Sequence, residues 1–187
     1  MVTTLIKKIF STNNSSSTGR LKKIKNLPEE QMRKELGMFF YETCLHHAVG
    51  FVTEELSKGD SPFRAISRHT MLNEILIVNF WLVEKVVARK NKALMDELHI
   101  AYAAHRSGAD GQAPHLLEEK YRAYHESWND FTGHHDQFGM KASQYIFGDN
   151  RKIPFAQTGF WLISYTHDTM KIFQGIKKSC RKMEIKI

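Results

Sequence analysis

Apolar residues recur along most of this chain in steps of three and four, the spacing that lines one side of an α-helix. Four segments carry the pattern. In the first, Met32, Leu36, Phe39, Phe40, Cys44, Val49 and Val52 track one face. In the second, Leu72, Ile75, Leu76, Phe80, Val83 and Val87 do the same, while Ile77, Val78, Trp81, Leu82 and Val86 extend the apolar surface nearly all round. A helix that is apolar on every side belongs at the centre of a bundle. Tyr121, Tyr124, Trp128, Phe131, His135 and Phe138 form the third row, and Trp161, Leu162, Tyr165, Ile172, Phe173 and Ile176 the fourth.

The four prolines, Pro28, Pro62, Pro114 and Pro154, each stand just before one of these segments. A proline in a first turn loses no helical hydrogen bond, so they read as starts. Glu29 and Glu30 suit the positive end of the first helix, Lys58-Gly59 suits its stop, and Ser61 with Pro62 suits the start of the second. The second segment holds no Gly or Pro until Gly108 and would exceed ~65 Å as one rod, so a break is predicted near Lys90-Asn91-Lys92. Interruptions are predicted around Gly133 and Gly139, and close helix contacts at Gly159 and Gly175. Strand-like alternation occurs only in Met183-Glu184-Ile185-Lys186-Ile187, too little for a sheet. The expected fold is all-α: a helical bundle of about five or six helices with four long members, over residues 27–187 as one domain.

With 187 residues, 42% hydrophobic and 25% charged, the chain has the length and composition of one globular domain with a real core. The most apolar stretch, Ile75 to Ala88, is broken by Asn79, Glu84 and Lys85 and falls short of the ~20 apolar residues a bilayer span needs. Cys44 and Cys180 are too few and too far apart for a disulfide framework, which predicts reduced thiols and a cytoplasmic setting.

Charge changes the picture more than composition does. The formal +7 divides into +6 on residues 1–26, +5 on residues 171–187 and −4 between them. Residues 1–26 read as a basic, Ser/Thr-rich N-terminal arm. Within it Val2, Leu5, Ile6, Ile9 and Phe10 trace a short amphipathic helix, and residues 11–19 look like a tether. Docking on the protein's own core, an anionic membrane surface, a homodimer or partner protein, and a cleavable organelle presequence all fit that stripe. Phe10 and Phe173 are the only aromatics in the two basic segments, and no nucleic-acid-binding motif is present, which speaks against specific nucleic-acid binding.

Catalytic motifs fail one by one. No Glu has a His three residues later, as di-iron bundles need, and His125-Glu126 begins a zinc motif whose second histidine is replaced by Asn129. Nucleotide-binding glycine loops and the Gly-x-Ser-x-Gly elbow are absent. Cys44 and His47 are neighbours on one helix face, but a buried inert thiol is the simpler expectation.

Two constellations remain. His47, Glu74 and His167 fall among apolar neighbours and, buried together, would suit a haem, metal or polar cofactor. His134, His135 and Asp136 form the densest ligand-like cluster, and His125, His134 and His135 are the candidate metal ligands. The aromatic row from Tyr121 to Phe131 would equally line a small apolar ligand. No cofactor is clearly implied. The reading that weighs most is a self-associating helical binding or assembly module with basic termini, and a metal- or haem-dependent bundle enzyme or sensor is the alternative.

Overall fold

The segment that is apolar all round, Met71 to Val83, becomes the axis of the protein. In a computed structural model it lies in helix α3 (Arg68–Val86), where eleven residues are buried. The structure describes residues 17–89, 91–105, 114–130, 133, 135–148 and 155–187, without the side chains of Pro114 and His115. Helix α1 occupies 17–25 and is followed by α2 (Glu29–Ser57), a single 3-10 turn (Pro62–Ala65), α3, α4 (Lys92–His105), α5 (Pro114–Ser127), α6 (Asp136–Phe147) and α7 (Phe155–Lys182). Among the described residues, seven helices and no strand make this an all-α helical bundle.

The expected starts and stops hold with local differences. Glu29 and Glu30 open α2 directly after Pro28, and α2 ends where Lys58 turns extended. Pro62 begins only the 3-10 turn; α3 starts later, where the Ser67 hydroxyl accepts the Thr70 amide at 3.0 Å. The break expected near residue 91 is present: Val87 and Ala88 both donate to the Val83 carbonyl, and Asn91 caps α4 by accepting the Leu94 amide at 3.1 Å. The third segment splits near Gly133, as expected, into helices of 14 and 12 residues, and the helix beyond the expected five or six is α1, in residues expected to belong to the arm.

Gly133 lies in the connection with φ +67°, but Gly139 lies inside α6 and interrupts nothing. Its missing side chain serves the crossing with α7, where a Cβ on Gly139 would stand 2.6 Å from the Gly159 carbonyl oxygen. Gly175 touches no neighbour in this way, so of the two glycines expected at contacts only Gly159 is at one.

α2 packs against α3 and α4, α7 packs against α6 and α3, and α3 also meets α5 and α6. Leu21 and Ile24 of α1 are buried in the core, so residues 17–25 belong to the folded body rather than to an arm. The amphipathic stripe from Val2 to Phe10 lies outside the described residues. The alternating C-terminus makes no strand: Glu184 adopts φ 58°, and the Ile185 amide returns to the Cys180 carbonyl at 2.9 Å, which buries Ile185. Among the described residues no helix is long and apolar enough to cross a membrane.

Candidate functional site

The residues proposed as one cofactor site stand in three different surroundings. Glu74, on α3, accepts the Lys120 ammonium of α5 on both carboxylate oxygens, at 2.7 and 2.6 Å, and both side chains are largely buried. His47, on α2, sits against His46 in a cleft between α1, α2 and α7. Burial pulls its imidazole down to about 4. His167, on α7, faces the rings of Trp128 and His135. Glu74 is thus committed to a lysine, and the three do not form the cluster that the sequence suggested.

The second constellation divides as well. His125 contacts Glu84 at 3.1 Å and lies edge-on to Trp81. His134 lies outside the described residues. His135, at the start of α6, is 7% exposed and stacks on Trp128 with ring centroids 3.6 Å apart and planes 14° from parallel. Among the described residues its buried Nδ1 has no hydrogen-bond partner, and the His167 ring is 5.0 Å away. One residue from each predicted group is therefore brought into a new pair. Two imidazoles are half of a tetrahedral ligand set, and among the described residues no group of three His, Cys, Asp or Glu could hold a metal ion.

Around this pair lies the aromatic heart of the protein. Trp81, Tyr124, Trp128 and Phe138 meet with centroids 5.0–5.6 Å apart. The row from Tyr121 to Trp128 is thereby filled by its own neighbours, and the residue that closes the predicted row, Phe131, lies outside the described residues. Among the described residues Trp81 Nε1 and the Tyr124 hydroxyl are buried here without hydrogen-bond partners, while Trp128 Nε1 donates to Asp130 at 2.7 Å. Cys44 is fully buried, which pushes its thiol well above the ordinary range, and burial raises Cys180 to about 11. Neither thiol supplies a thiolate nucleophile near neutral pH.

The feature that sequence reasoning missed is a charged cleft of about 820 Å³ between the end of α3, the α5–α6 connection and α7. Lys85, Arg89, Lys177, Lys178 and Arg181 line it, with Glu84, Asp130 and His125. Both acids are engaged, Glu84 with His125 at 3.1 Å and Asp130 with Lys85 at 2.7 Å. The Lys177 ammonium donates to the Val86 carbonyl at the end of α3. Burial, together with Arg181 and Arg89, pulls Lys177 below the usual lysine range. The basic run on residues 171–187 was the visible signal, but Lys85 and Arg89 join it only through the fold.

The two basic ends also meet. Arg20 and Leu21 of α1 and Lys171, Gly175 and Ser179 of α7 line one cleft of about 860 Å³ with His46 and His47 of α2. Lys25 reaches Glu184 at 3.7 Å. Compared with protein-family models, curated proteins and solved structures, the chain matches none.

Proposed function

We propose that this protein is a non-catalytic helical binding module that engages a polyanionic partner through its two basic ends acting together. The observation that carries the reading is the convergence of those ends. Residues 17–26 and 171–187 are separated by most of the sequence, yet α1 shares a cleft with α7 and Lys25 pairs with Glu184. The lysines at 22, 23, 25, 178, 182 and 186 are all exposed. Like charges concentrated at the two ends of a chain whose body is mildly acidic raise the local concentration of anions and speed their encounter. Self-association through residues 1–16 remains part of the proposal as a second use of the ends.

Heparin is a suitable polyanion probe. Wild-type protein is expected to bind it, and replacement of Lys22, Lys23 and Lys25 by Glu is expected to weaken binding by at least about tenfold, the size of one charge-assisted contact. Replacing three exposed bases elsewhere, Arg64, Lys92 and Arg122, by Glu makes the same change in net charge. Equal loss in both variants contradicts the proposal.

A second reading is favoured by one observation, the His135 Nδ1 buried beside His167 with no hydrogen-bond partner among the described residues. An imidazole nitrogen buried without a partner calls for a ligand, water or ion, and a metal-dependent bundle sensor would supply one. Native mass spectrometry of untagged protein tests it: no stoichiometric metal and no copurifying small molecule would eliminate this reading.

A further inference from the structure

The cleft between α3 and α7 carries more cation than its own residues neutralise. Glu84 and Asp130 are held by His125 and Lys85, and Lys177 caps the carbonyl end of α3. Among the described residues no carboxylate pairs with Arg89, Lys177, Lys178 or Arg181. Lys177 and Arg181 are four residues apart on α7 and share a face, while Arg89 approaches from the segment after α3. Trp128, Val86 and Met170 add apolar wall.

We infer that this cleft is a binding site for a phosphate-bearing ligand of at least two negative charges, with Arg89 and Arg181 as its guanidinium donors and Lys177 as the ammonium between them. Guanidinium groups arriving from two elements suit a tetrahedral oxyanion, to which each presents paired N–H donors. A single carboxylate would leave most of this charge unmatched. The cleft's volume of about 820 Å³ is within the range of small-molecule sites. Its concavity and the partly buried Lys177 favour a soluble ligand over a flat membrane surface.

This site is separate from the lysines at 22, 23 and 25 and stands or falls independently of the heparin result. Inorganic pyrophosphate is the probe, measured by isothermal titration with the full chain, beside inorganic phosphate and acetate. The wild type is expected to prefer pyrophosphate to acetate by at least about tenfold, and Arg181→Gln and Arg89→Gln are each expected to weaken pyrophosphate by a similar factor. Both arginines are exposed, so the variants should fold, which circular dichroism checks. The triple lysine variant at 22, 23 and 25 should bind pyrophosphate within about twofold of wild type. No pyrophosphate binding at millimolar concentration, equal binding of acetate, or indifference to both arginine substitutions overturns the assignment. Binding to anionic vesicles with no binding of pyrophosphate also overturns it, in favour of a membrane surface.

Discussion

Gly139 of α6 and Gly159 of α7 meet backbone to backbone: a Cβ built on Gly139 would lie 2.6 Å from the Gly159 oxygen and 2.8 Å from Ile163 Cδ1. Backbone cannot rotate aside as a side chain can, so Gly139→Ala must separate the two helices. Its gain in helix propensity is outweighed, and a net loss of about 2 kcal/mol is expected. Gly175 lies within the same α7 with nothing within 4 Å of its missing Cβ. Gly175→Ala should therefore stabilise by about 0.5–1 kcal/mol. Thermal or urea unfolding of both variants checks the opposite signs; destabilisation at both positions would contradict the crossing.

The Glu74–Lys120 pair makes a second expectation. Lys120→Met leaves the Glu74 carboxylate in a site only 8% exposed, with its ammonium partner gone. A stranded buried charge costs about 3 kcal/mol or more. Glu74→Gln added to Lys120→Met should recover a large part of that loss, because the remaining group is neutral. A double-mutant cycle with no coupling between the two positions would show that the pair is not formed in solution.

Acid should weaken the fold through His47. Its value falls from 6.5 to about 4 because burial penalises the charged ring and His46 lies beside it. The unfolded chain takes up a proton near 6.5 that the folded chain resists down to about 4, so stability is lost as the pH drops through that interval. The half-buried position limits the effect to about 2 kcal/mol. His99 and His135 are lowered by burial too and act in the same direction. Replacing His47 by Gln should flatten the wild-type decline between pH 6.5 and 4.5; an unchanged slope of stability against pH would contradict this origin.

Local rules carried the sequence reading far along the helices. The apolar spacing in Leu72 to Val87 placed α3 at the centre, and Pro28 and Asn91 mark real helix starts. Those signals act within a few residues. Glycines were ambiguous because one composition serves two needs: Gly133 supplies a positive φ, while Gly139 supplies room for a helix that arrives twenty residues later. The candidate site was less legible for the same reason. Whether Glu74 meets a histidine or Lys120, and whether His135 meets His125 or His167, depends on packing between helices distant in sequence. The excess charge on the ends was plain in the sequence, but Lys25 reaching Glu184 and Arg89 joining Arg181 in one cleft were not.

Convergence of the basic ends is the centre of the account, and heparin affinity across a salt series with both ends altered tests it most directly. Lys22, Lys23 and Lys25 form one set for replacement by Glu, and Lys182 and Lys186 the other. If the ends act on one partner together, each set lowers affinity and flattens its dependence on salt, since fewer cations then displace counterions. Two separate sites would instead let either end bind alone, so that each set by itself would cost little and the combined variant far more than the sum. Little loss from either set alone, or a salt dependence that neither set changes, would contradict ends that act together.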